Sequence, residues 1–161
     1  MTVNPLRSIG GVLGGLGVIS FIIQVMEFSL VMAMAGGRVA DMSQYLMIAN
    51  QTGILAAKLV YYPVAGLLGG YVTARVAMHY EMHHAAAAAA AQTVALIWGF
   101  FIRDDFASYT PIGVRVALIV LTGPAMMVGA AVRTRAAQST DVGAAAPKLG
   151  MSEGGSRPDQ E

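Results

Sequence analysis

Two side chains of opposite charge stand inside long apolar stretches of this sequence, Glu27 and Lys58. Burying either charge alone in a medium without water costs on the order of 3 kcal/mol or more, so each needs a partner or a route to water. Glu27 sits about seven residues before the end of the first apolar stretch, and Lys58 about five after the start of the second. If the first stretch runs out and the second runs back, a rise of 1.5 Å per residue puts both at one depth, roughly 8–10 Å from the same end. Gln24 precedes Glu27 by three residues, and Tyr62 follows Lys58 by four, so each adds a polar group to its partner's face. The set supports an ion pair that fixes helix register, or a proton or ion site. A third arrangement has Lys58 reaching to the surface while Glu27 is neutral or faces a neighbouring subunit.

The second group able to do chemistry is His79-Tyr80-Glu81-Met82-His83-His84. If the turn is helical, His79 and His83 share a face, and imidazoles at that spacing can chelate zinc, copper or nickel. A metal set of His79, His83 and His84 stands beside a plainer reading, in which interfacial histidines cap helix ends. Gly150-Met151-Ser152-Glu153-Gly154 spells the esterase elbow, but that motif needs a strand before it and a helix after it. Here it lies in a polar tail. Asp104 and Asp105 read as a solvated loop. There is no cysteine, which removes disulfides, thiolate metal sites and cysteine nucleophiles. No catalytic constellation emerges, and the expectation is a non-enzymatic chain without a cofactor.

The elements that position these groups follow from composition. Of 161 residues, 12% are charged and 56% apolar, and the net charge is +1; a soluble domain carries roughly 25% charged residues. A disordered polyelectrolyte and a nucleic-acid module are excluded on this balance. Apolar stretches run from about 9 to 34, 53 to 76, 85 to 102 and 111 to 132. Each is near the roughly 20 residues that cross 30 Å of hydrocarbon as a helix. Backbone groups in lipid must be satisfied within the segment, and the stretches do not alternate as barrel strands would. The first is too long for the apolar core of a signal peptide. The expected fold is therefore all-α and integral to the membrane, an antiparallel bundle of four transmembrane helices. Val39, Met42, Leu46 and Ala49 recur at helical spacing and predict a short interfacial helix within 36–52, with Asn50-Gln51-Thr52-Gly53 as the break. From 134 to 161 the chain is Ala, Gly, Ser, Pro and charge, which predicts a disordered tail. Thr110-Pro111 reads as a helix start, with a capping hydroxyl and a proline at the first helical position.

Small residues set the expected packing. Gly10, Gly14, Gly17, Ser20, Gln24 and Glu27 form one stripe on the first helix, and such a stripe in lipid faces other protein. On the second, Lys58, Tyr62, Ala65, Gly69 and Thr73 share a face, with Gly66 and Gly70 beside it. On the fourth, Arg115, Thr122, Ala125 and Gly129 do the same. Pro63 and Pro124 are expected kinks. With an even number of crossings, one side holds Arg7, Arg75, Arg133 and Arg135 and the other Arg38 and Arg103; the excess favours both termini in the cytoplasm.

The segment Gly69-Gly70-Tyr71-Val72-Thr73-Ala74-Arg75, followed by His84-Ala85, resembles small, uncharacterised four-helix membrane proteins of bacteria. In them a Gly-Gly-Tyr-x-x-Ala-Arg segment closes the second helix and a His-Ala pair opens the third. Gly10-Gly11 fits the same pattern, and the resemblance covers about a third of the chain. Lys58 and the extended histidine cluster depart from it. The resemblance implies a bacterial inner-membrane location and a four-helix fold, and no activity. Similarity to the small multidrug transporters is limited to helix count and an acidic residue in the first helix; Glu27 lies late in that helix, and their tryptophan-rich pattern is absent. The expected partners are lipid and either further copies of the chain or other membrane subunits. The leading expectation for function is helix association as a homo-oligomer or accessory subunit. The alternative is a small transporter or ion- or proton-conducting protein built on Glu27 and Lys58.

Overall fold

The computed structural model describes residues 5–77, 80–102 and 109–144, with side chains over 9–77, 80–102 and 109–139. All its regular elements are helical: α1 (Pro5–Met34), α2 (Met42–Ala49), α3 (Thr52–Ala77), α4 (Glu81–Ile97), which runs on into a π-helical turn (Trp98–Ile102), and α5 (Ile112–Ala144). Four of these helices are long and apolar enough to cross a membrane. The short α2 begins at Asp41, whose carboxylate accepts from the Gln44 amide at 2.8 Å, while Gln44 Oε1 accepts from the Ala40 amide at 2.6 Å. This reciprocal cap fixes the helix start. At the other end Asn50 takes a non-helical conformation and its side-chain amide donates to the Leu46 carbonyl at 2.8 Å. The break at Asn50-Gln51 is what keeps α2 and α3 separate.

The last helix differs from expectation. It does not end near 132 but continues to Ala144, so the first part of the expected disordered tail is helical. Alanine-rich sequence extends an existing helix readily, because propagation needs no new nucleus. Thr134 ties the extension down, donating to Glu81 Oε2 at 3.1 Å and to the Ala130 carbonyl at 2.9 Å. The remainder of the tail, 145–161, lies outside the described residues.

Helix α3 lies between α1 and α5, and α4 packs on α5, α3 and α1. The glycines show the register. A Cβ on Gly15 would overlap the Thr73 side chain, and one on Gly69 would overlap Ile19, so α1 and α3 run antiparallel at close range. A Cβ on Gly66 would crowd Thr122, one on Gly70 would overlap the Met126 carbonyl, and one on Gly129 the Leu67 carbonyl. From Gly66 to Gly70 the facing residue advances from Thr122 to Met126, so α3 and α5 run parallel. Glycine at these positions lets backbones meet where any side chain would hold them apart. Between α4 and α5, Ala85 packs with Ala130, and Arg115 reaches the Phe100 carbonyl, so that pair is antiparallel. Part of the alanine run of α4 is buried, with Ala85 and Ala88 at 0% exposure.

The large apolar residues sort outward as well as inward. Leu13, Phe21, Val60, Val94, Ile112 and Val120 are each more than half exposed. A water-soluble monomer does not cover its outside this way. The interior is built of Ile19, Leu118 and Met126 together with small residues and the hydroxyls of Thr73 and Thr122, which bond the carbonyls one turn back.

Candidate functional site

At the α2 end of the helices the structure brings Glu27 and Lys58 together. Lys58 Nζ lies 3.3 Å from Glu27 Oε2, with side-chain exposures of 7% and 16%. The Tyr61 hydroxyl donates to the same oxygen at 3.2 Å. Tyr61 and Tyr62 stack obliquely with ring centroids 5.3 Å apart. Tyr45 on α2 stands close enough to feel the same carboxylate: burial, and after it the Glu27 charge, holds its hydroxyl above the usual 10.0. Glu27 is thus ringed by an ammonium and tyrosines. Tyr61 and Tyr45 were not singled out in the sequence; the signal for Tyr61 was its place three residues after Lys58, one turn along α3.

Beside the pair lies a partly open cavity of about 180 Å³. Glu27, Lys58 and Tyr62 line its polar part, with Gln24, Asn50 and Thr110 also on the lining. Ile23, Leu46, Ala95, Leu96 and Phe100 supply the apolar part. The predicted quartet of Glu27, Lys58, Gln24 and Tyr62 therefore lines one space. Gln24 is exposed on α1, whereas Lys58 and Tyr62 are buried.

Two tertiary links frame this space, and sequence reasoning assigned neither. The Thr110 hydroxyl donates to Asn50 Oδ1 at 2.5 Å, tying the start of α5 to the α2–α3 break. Thr110 therefore does not cap α5 as expected: its hydroxyl points at another element, and the Pro111 carbonyl accepts the first amides instead. Arg115 donates from Nε to the Thr110 carbonyl at 2.6 Å and from a terminal nitrogen to the Phe100 carbonyl at 3.1 Å. Its guanidinium also lies 6.0 Å from the Phe101 ring centre. A π-helical turn leaves carbonyls out of the ordinary helical ladder, and Arg115 satisfies one of them. The charge of Arg115 is thereby absorbed structurally.

The helix-packing glycines divide. Gly66, Gly69, Gly70 and Gly129 all sit at close helix contacts. On α1 the contacting pair is Gly11 and Gly15, not Gly10, Gly14 and Gly17, where a Cβ would meet nothing within 4 Å. The inward stripe of α1 continues through the buried Ile19, Ile23 and Val31. The expected stripe is one residue, or about 100°, off this line. The doublets Gly10-Gly11 and Gly14-Gly15 fit either face, so spacing alone did not choose between them.

Of the three histidines, His83 and His84 are described. Helix α3 ends at Ala77, and α4 begins only after Tyr80, which adopts a left-handed conformation at φ 52°. His83 is exposed, with its ring edge-on to Tyr80 at 5.9 Å. His84 is half-buried, with Nδ1 3.0 Å from the Tyr80 carbonyl. His79 lies outside the described residues. Among the described residues no group of three His, Cys, Asp or Glu side chains is placed to hold a metal. Asp104, Asp105 and the Ser152 motif also lie outside the described residues.

No family model, curated protein or solved structure matches the chain.

Proposed function

We propose that the chain is a multi-pass protein of a bacterial inner membrane, an antiparallel bundle of four spanning helices, and that it acts without catalysis by associating through α1. Its partner is a further copy of itself or another membrane subunit. The observation that carries this reading is the outward stripe of Gly10, Gly14, Gly17, Ser20 and Gln24. Its glycines touch no other helix among the described residues, and Ser20 and Gln24 are exposed. In lipid such a stripe is a surface for close helix approach and polar contact. The resemblance to small four-helix bacterial membrane proteins supports the same location, and the excess of arginines beside the termini supports a cytoplasmic placement for both ends. The test is the mass of the protein purified in mild detergent. Wild type is expected above monomer mass, alone or with co-purifying subunits, and Gly14→Leu with Gly17→Leu is expected to return it to a lone monomer. A wild type that is itself alone and monomeric contradicts the reading.

A second reading, conduction of a proton or small ion past Glu27 and Lys58, is favoured by the cavity that reaches both. It requires that proteoliposomes show flux of the ion and that Glu27→Gln abolish it. Vesicles no leakier with the protein than without it remove this reading and leave association standing.

A further inference from the structure

We propose that the cavity at the α2 end binds a ring-sized, net-neutral molecule through a carbonyl oxygen, held by Lys58 and Tyr62. The inference rests on the cavity itself and is independent of whether copies of the chain associate. Its size comes first. An apolar cavity of about 150 Å³ holds a benzene ring, and this one measures about 180 Å³, so a ring with one small substituent fits. The lining comes second. Ile23, Leu46, Leu96 and Phe100 line it together with Glu27, Lys58 and Tyr62, as in sites where a few placed polar groups orient an otherwise apolar guest.

The donors on the lining decide the chemistry. Tyr62 is 7% exposed and Lys58 5%. They are four residues apart on α3, so they project from one face into the same space. The Tyr62 hydroxyl has no hydrogen-bond partner among the described residues, although its residue is more than nine-tenths buried. Lys58 carries three N–H donors, and its one ionic partner there is Glu27. Among the described residues no buried side-chain nitrogen or oxygen is left without a partner, so the unpartnered Tyr62 hydroxyl is accessible at the cavity, where it and Lys58 offer donors to an acceptor atom on a guest. Charge then narrows the class. An anion drawn to Lys58 also meets the Glu27 carboxylate 3.3 Å from that ammonium. A cation drawn to Glu27 meets Lys58. Only a net-neutral guest takes the free donors without opposing either charge, and a carbonyl oxygen is the common strong acceptor of such molecules.

The test uses the full chain in detergent micelles and three probes of one size: benzamide, benzoate and benzylamine. Binding is read by ligand-observed NMR. Benzamide is expected to bind about tenfold more tightly than either ion. Tyr62→Phe, which keeps the ring and removes one hydrogen bond, is expected to weaken benzamide by up to about tenfold. Ala95→Trp, which fills the cavity from α4, is expected to abolish binding. An octyl-chain benzamide that displaces benzamide marks entry from the lipid; failure of the chained form, with benzamide still bound, marks entry from water. The proposal is overturned if a charged probe binds best, if no probe binds at millimolar concentration, or if signals are equal in wild type and Ala95→Trp, which is partition into the micelle alone.

Discussion

At the scale of single residues, the consequential pair is Glu27 and Lys58. Counting residues along two antiparallel rods puts them at one depth, and they meet there at 3.3 Å. Their neighbours were less legible. Tyr61 was hidden because one turn of α3 offers several side chains and only packing selects among them. Asn50 and Thr110 bond across sixty positions of sequence, and no local pattern marks such a contact. Removing one member of a buried pair leaves the other charge uncompensated, a loss of about 3 kcal/mol or more, whereas replacing both with apolar groups is far milder. Thermal unfolding in detergent should therefore show Glu27→Gln and Lys58→Met each strongly destabilising, and the double variant less so than the two losses added. Simple additivity would mean that the two groups do not interact. Arg115 makes a matching case. Arg115→Met should lower the midpoint, because the Phe100 and Thr110 carbonyls lose their donor. Arg115→Lys should rescue only in part, since one ammonium cannot reproduce the guanidinium fork.

At the scale of elements, hydropathy located the long helices because lipid-length apolar runs have few alternatives. The second stretch matches its helix within one residue at each end, the first and third helices begin about four residues before their stretches, and the last runs well past its own. An alanine-rich extension is polar enough to look like tail yet helical once a helix precedes it. Helix rotation was the harder quantity. Doubled glycines give α1 two small faces, and only contact with Thr73 and Gly69 identifies the inner one. This yields a sharp contrast. Gly70→Ala and Gly129→Ala push a methyl into a backbone carbonyl of the facing helix and should each cost about 1–3 kcal/mol. Gly10→Ala and Gly17→Ala, with open space around them, should leave the unfolding midpoint of the monomer unchanged or slightly raised. Equal effects at the two sets would mean that α1, or the α3–α5 pair, packs on other faces. The cap of α2 can be probed separately. Asp41→Ala removes the bond to the Gln44 amide and should speed hydrogen exchange across 42–49, consistent with about 1 kcal/mol of local stability.

At the scale of the whole molecule, the described residues form a layer of exposed Phe, Leu, Ile and Val around an interior of small residues, threonine hydroxyls and the Glu27–Lys58 ion pair. That order makes sense where the surroundings are as apolar as the surface. The separation of arginines follows the same logic, with Arg75 at one end of the helices and Arg38 at the other. Because the chain has no cysteine, a single introduced thiol reports its own location. The most direct measurement is labelling of Arg38→Cys and Arg75→Cys, one per protein, with a membrane-impermeant maleimide applied to intact cells and to inverted membrane vesicles. The account predicts that Arg38→Cys reacts from outside and Arg75→Cys only in the inverted vesicles. Reaction of both thiols from the same side would contradict it.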